Sequence, residues 1–159
     1  MDLKRLASGA AAGLLALALW LAWLWQPERQ IRLHTAGLIN AIERRNWSKA
    51  QDLLADNYSD RWGHDKGFVL SGLQQVFGSF VFLKIEHESL SVNAASGRTL
   101  TRVKMSGQGS VVAQFVMAKV NGLSEPFSFT WVKAGRMPWN WQLTGLDHPT
   151  LDPDAEPQF

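Results

Sequence analysis

The chain has 159 residues, 46% of them apolar, a formal charge of +2 and no cysteine. That length supports one domain with an appendage rather than two independent cores. The missing cysteine excludes disulfides, thiol catalysis and thiolate metal sites, and basic residues scattered over so weakly charged a chain disfavour a nucleic-acid surface.

Residues 1–5 form a short basic tail carrying Lys4 and Arg5. From Leu6 to Trp25 no residue is charged, and at about 1.5 Å per helical residue that run spans roughly 30 Å, the thickness of a bilayer's hydrocarbon core. Trp20, Trp23 and Trp25 crowd its end, where amphipathic rings favour the headgroup level, and Pro27 stops the helix. Residues 6–26 therefore read as a transmembrane anchor. A cleaved signal peptide competes, through the small-x-small pattern of Ala16-Leu17-Ala18, but the length and flanks of the run fit an uncut anchor better. Gly9 and Gly13 have the G-x-x-x-G spacing that lets two membrane helices approach closely.

Residues 27–147 read as the domain. Ile31, Thr35, Leu38 and Ile42 recur at helical spacing and predict an amphipathic helix over 28–46. Ser48 followed by Gln51 has capping-box spacing and predicts a short second helix with Ala50, Leu53 and Leu54. After a polar loop, Asp65 caps a third helix over 66–77, in which Val69, Leu73, Val76 and Phe77 share a face. From Phe80 the period becomes two. Leu83, Ile85 and His87 alternate with Lys84, Glu86 and Glu88; Asn93 to Gly97 is a turn; Thr101, Val103 and Met105 lie on the next strand; and Gly107 to Gly109 is a second turn. Val111 to Val120 reads as a strand closed by an Asn121-Gly122 hairpin. Phe127, Phe129 and Trp131 then share one strand face, and Trp139, Trp141 and Leu143 another, which places six large apolar side chains on a single surface. Residues 148–159, rich in proline and acid, read as a flexible tail.

Helices followed by antiparallel strands predict an α+β fold: an N-terminal transmembrane helix, then three helices packed on a strongly curved antiparallel sheet of four to six strands. The helix order, the segment Leu53-Leu54-Ala55-Asp56-Asn57-Tyr58, and Phe127-x-x-x-Trp131-x-Lys133 followed by Trp141 to Leu146 resemble the nuclear transport factor 2-like superfamily over residues 29 to 147. The resemblance implies a curved sheet wrapped around a long helix with an apolar pocket inside. It leaves function open, because that superfamily includes ligand binders, isomerases, dehydratases, hydrolases and interaction domains. An anchor ahead of such a domain also resembles the layout of bitopic scaffold proteins of type IV secretion systems.

Tyr58, Trp62, His64, His87, Phe115, Trp131 and Trp141 are the pocket candidates. His87 shares a strand face with Leu83 and Ile85 and reads either as an acid/base group or as a core or rim histidine; the second fits better because no carboxylate shares its face. Tyr58 offers a hydroxyl or a sealing ring. Glu86 and Glu88 face away from His87, so no metal site is expected; no cofactor fingerprint is present, and no catalytic residue is assigned. Val112, Gln114, Val116, Ala118 and Val120 would make the opposite strand face mostly apolar, an expected interface for a homodimer or a membrane-protein partner. The reading that follows is a membrane-anchored, non-catalytic interaction or assembly domain; its alternative is a tethered pocket protein for an apolar small molecule. Charges flank the span on both sides, so orientation rests on the ease of keeping a five-residue basic tail in the cytoplasm while the domain is exported from the inner membrane. A C-terminal reporter should be active only outside the cytoplasm; activity only in the cytoplasm reverses this topology.

Overall fold

The computed structural model describes residues 3–151, with side chains described from Gly13 onward. Among these residues are five helices, α1 (Leu3–Leu24), α2 (Pro27–Glu43), α3 (Trp47–Leu53), α4 (Lys66–Gly78) and α5 (Val111–Asn121). Four strands, β1 (Phe80–Asn93), β2 (Arg98–Gly109), β3 (Phe127–Lys133) and β4 (Trp141–Asp147), form one antiparallel sheet in the order β1-β2-β3-β4. The fold is α+β, as the sequence predicts. Helix α1 starts within the expected basic tail, so Lys4 and Arg5 are helical. Among the residues whose side chains are described, Gly13 onward, no helix is long and apolar enough to cross a membrane; the expected anchor reaches back beyond them to Leu6.

Local signals explain most of the helices. Pro27 opens α2, where its missing N–H costs nothing, and Ile31, Thr35 and Leu38 are buried on one stripe as their spacing requires. The short α3 is capped by Asn46, whose side chain accepts from the Lys49 N–H at 3.2 Å, two residues before the expected Ser48. Asp65 caps α4 by accepting from the Phe68 N–H at 2.8 Å.

The largest departure from expectation is in α5. Val111 to Val120 is helix α5, not a strand, and Gly122 follows it in the right-handed helical region at φ −78° rather than in a hairpin turn. Ser110 caps this helix through the Ala113 N–H. The segment is apolar on both strand faces because it is apolar around most of a helix: Val112, Val116 and Val120 fall at i, i+4 and i+8, while Ala113, Met117 and Val120 pack toward Phe80, Leu83 and Met105. A continuous apolar run of this length fits either element by periodicity, and the surroundings decide. The Gly107 to Gly109 turn is likewise absent, because β2 runs through to Gly109.

Ribbon β1–β2 pairs along nearly its whole length, but β3 pairs with β2 only from Arg98↔Thr130 to Thr101↔Phe127. Beyond Thr101 the outer edge of β2 has no strand beside it. Asn121, at the end of α5, closes that edge: its Oδ1 accepts from the Met105 N–H at 2.7 Å and its Nδ2 donates to the Met105 carbonyl at 2.7 Å. The Glu43 carboxylate closes the outer edge of β1 by accepting from the Ile85 N–H at 2.8 Å. At the other end of the ribbon Gly97 has φ +66°, and a Cβ there would lie 1.9 Å from the Trp131 carbonyl, so only glycine fits.

Two packed clusters result. Ile31, Leu38, Leu54 and Tyr58 meet Phe129, Trp131, Trp141 and Leu143 in one; Ile39 meets Phe80, Leu83, Ile85, Met105 and Ala113 in the other. The aromatic surface expected from β3 and β4 has five members rather than six. Trp139 precedes β4, in the turn, and is exposed. The first residues of the expected tail are packed. His148 is fully buried, with Nε2 3.0 Å from the Glu125 carbonyl and Nδ1 accepting from the Leu151 N–H at 3.0 Å, so the packed chain reaches Leu151. Residues 152–159 of the expected tail lie outside the described residues, as does the side-chain environment of Gly9.

Replacing Asn121 by Leu strands a donor and an acceptor at buried Met105 and should destabilise the protein by about 2 kcal/mol. Urea unfolding followed by tryptophan fluorescence measures this, and Asn121→Asp, which keeps the acceptor, should lose less.

Candidate functional site

Helix α4 has the apolar spacing of a core helix, yet none of its residues is fully buried, and α5 buries only Ala113. Part of the apolar face of each helix borders an open space rather than a packed neighbour. This cavity, of about 550 Å³, lies between α2, α4, α5 and the sheet. Leu38, Ile39 and Ile42 of α2 form its floor; Val69, Leu73 and Val76 of α4, and Val112, Phe115 and Val116 of α5, form two walls. Ile85, Val103 and Met105 come from the ribbon, and Phe127, Phe129 and Leu146 from β3 and β4.

Its polar side chains are few: Tyr58, Asp60, Trp62 and His64 from one loop, and Lys119 from α5. The loop is fixed to the free edge of β4, because the N–H groups of Ala55, Ser59 and Arg61 donate to the carbonyls of Leu143, Thr144 and Leu146 at 2.9, 3.1 and 3.2 Å. Asp60 then folds the turn around itself. Its Oδ1 accepts from the backbone N–H groups of Trp62 and His64, both at 2.9 Å, and its Oδ2 lies 3.0 Å from His64 Nδ1. Gly63, at φ +86°, allows that reversal. The His64 ring stacks on Phe68 with centroids 4.3 Å apart, and the Trp62 indole donates to the Leu151 carbonyl at 3.0 Å. The C-terminal segment thus holds the aromatic side of the site.

Tyr58 is 3% exposed. Burial first, and the negative charge of Asp60 second, push its hydroxyl well above the ordinary value of 10.0, so the phenol stays protonated through the physiological range. A neutral hydroxyl at the rim of an apolar chamber is a hydrogen-bonding group, not a base.

The structure distributes the expected site residues between several places. Tyr58, Trp62, His64 and Phe115 line the cavity. Trp131 and Trp141 do not; both are buried in the core beside it, and Trp141 donates its indole N–H to the Pro138 carbonyl at 2.9 Å. His87 is exposed and lies outside the cavity, in a shallow surface pocket with Glu86, Glu88, Arg102 and Lys104. It keeps the alternation of Leu83 and Ile85, but its cross-strand partner Val103 is only half-buried, so the packed face thins out at this rung. The expected convex interface is absent as a strand surface: Val112, Val116 and Val120 line the cavity from α5, whereas Gln114 and Ala118 point to solvent. Among the described residues no group of three or more His, Asp or Glu could hold a metal. Asp60 went unrecognised from sequence. Its signal was an acid three residues before a glycine in a polar loop, a pattern that marks a turn and does not reveal which side chain the turn folds onto.

No protein-family model matches the chain, and no curated protein matches it. Solved structures do. An NTF2-like protein of unknown function from Pseudomonas putida KT2440 aligns with a TM-score of 0.52 at 15% identity, covering 75% of this chain and 82% of that one. A conserved protein from Planctomyces limnophilus DSM 3776 aligns with a TM-score of 0.51 at 14% identity, covering 75% and 91%. At such identities the likeness shows the NTF2-like fold alone.

Tyr58 is the chain's one tyrosine, so the phenolate difference absorbance, taken against the same titration of Tyr58→Phe to subtract the eight tryptophans, belongs to it alone. In the unfolded chain it ionises near pH 10.0, in the folded chain only at higher pH, so between those values unfolding releases a proton and stability falls as pH rises. Alkaline titration should show phenolate appearing together with loss of tryptophan burial. Tyr58→Phe should remove the absorbance step and this tyrosine's share of the stability loss.

Proposed function

We propose that this protein binds an apolar small molecule in the cavity while tethered to a membrane by α1. The observation that carries the reading is that two helices with core-type apolar faces, α4 and α5, stand around about 550 Å³ of space instead of packing closed. Small-molecule sites are typically roughly 300–1,000 Å³, largely apolar, with a few placed polar groups. Here the polar groups are gathered on the Tyr58 to His64 loop, which suits a ligand with one polar end and an apolar body. Asp60 is engaged in shaping the turn, which favours binding over acid/base chemistry.

The tether reading rests on the uncharged run from Leu6 to Trp25 and on the exposure of Leu14, Leu15, Leu17 and Leu19, which pack against no part of the domain. A soluble surface helix would bury such a face. Tethering places the cavity where apolar molecules concentrate, and the topology expected from the sequence puts the domain outside the cytoplasm.

Gly72 of α4 lines the cavity, and a Cβ built there meets nothing within 4 Å. Gly72→Ala should therefore raise stability by roughly 0.5–1 kcal/mol through helix propensity alone. Gly72→Phe should fill the chamber. Organic extraction and mass spectrometry of the purified full-length protein should recover an apolar compound from wild type and Gly72→Ala but not from Gly72→Phe; equal recovery from all three sinks the proposal.

A further inference from the structure

The turn between β3 and β4, residues 134–140, carries an arrangement that neither the core nor the cavity uses. Its backbone is pinned from within: the Ala134 N–H donates to the Asn140 carbonyl at 2.8 Å, the Asn140 N–H to the Met137 carbonyl at 3.2 Å, and the Trp141 indole to the Pro138 carbonyl at 2.9 Å. A turn so constrained holds its side chains in fixed directions, and it sends its two large apolar ones outward. Met137 is 55% exposed and Trp139 51%. Lys133 and Arg136 flank them, both exposed, and the segment contains no acid.

The position of this turn gives the pattern its meaning. The Trp139 ring lies 5.9 Å from that of Trp25, the last residue of the uncharged run. Arg29 sits over the Trp23 ring at 3.5 Å, and the Gln30 side chain donates to the Leu24 carbonyl at 2.8 Å, so the end of α1 is fastened to the start of α2 instead of hanging from a loose linker. Along the chain, Glu28 is the one acid between Leu6 and Ile42.

We propose that the β3–β4 turn is a second membrane contact, with Met137 and Trp139 seated in the headgroup layer at the depth of Trp23 and Trp25. The partner is the phospholipid interface itself. Indole rings and a flexible thioether suit its mixed polarity, and Lys133 and Arg136 suit its phosphates. Two contacts on one rigid end of the domain fix its orientation, with α2 rising about 25 Å from the bilayer and the far end of the ribbon, near Gln108, held in water. This inference rests on the reading of α1 as a membrane tether.

The absence of native cysteine allows single labels at chosen sites. Leu14→Cys, Met137→Cys and Gln108→Cys would each carry a nitroxide in the full chain, reconstituted into vesicles of phosphatidylcholine and phosphatidylglycerol. Depth is read from the ratio of collision rates with oxygen, which concentrates in the bilayer, and with a polar nickel chelate, which does not. The expected order is Leu14 deepest, Met137 intermediate and severalfold above Gln108, and Gln108 equal to a label in water. If Leu14 reads deep while Met137 matches Gln108, the second contact is wrong and the tether stands. If Leu14 itself reads as water, the tether reading falls, and this inference with it.

Discussion

The fold turns on an edge problem in the β1–β2 ribbon. Past Thr101 the ribbon is two strands wide, so alternate rungs direct backbone N–H and C=O groups outward with no strand to receive them. Ile85 and Met105 form one such rung, and both are buried, which makes an unmet hydrogen bond costly. The chain meets the need on both sides with side chains, Glu43 from the end of α2 and Asn121 from the end of α5. These two contacts set where the helices end against the ribbon. They also cap both ribbon edges at this rung.

Helix placement then creates the chamber. With α2 and α5 ending on opposite edges of the ribbon, their apolar faces converge across a gap that α4 walls off without filling. The loop from Leu54 to Arg61 runs along the free edge of β4, pairing with its backbone and carrying Tyr58 and Asp60 to the rim of the chamber. Buried His148 anchors the chain end that reaches Trp62. The same hydrogen bonds that complete the fold therefore position the polar groups of the Tyr58 to His64 loop.

The tryptophans divide by role. Trp131 and Trp141 are buried and pack with α2 and α3 against β3 and β4, whereas Trp23, Trp25 and Trp139, 48%, 38% and 51% exposed, gather at the junction of α1 and the domain. Burying an indole removes a large apolar area from water, so leaving several exposed at one end is a costly arrangement for a surface meant to face bulk water.

Much of the architecture was legible in residues alone. The helical spacing of Ile31, Thr35 and Leu38, the Asp65 cap, the alternation from Leu83 to Ile85 and the aromatic face of β3 are short-range patterns, and each corresponds to one element with one buried side. Within such patterns the sequence by itself determined the α+β class and the order of most elements. Tertiary structure alone decided the rest. Val111 to Val120 is apolar around most of its circumference, so its choice of helix over strand depended on the unpaired edge of β2 and on Asn121 reaching Met105. His87 follows the alternation yet lies exposed, because coverage of a strand face is set by the element packed over it. Asp60 meets His64 only through a turn closed by Gly63. The physical reason is common to all three: period and capping act over a few residues, whereas burial and edge pairing are settled by neighbours distant in the chain.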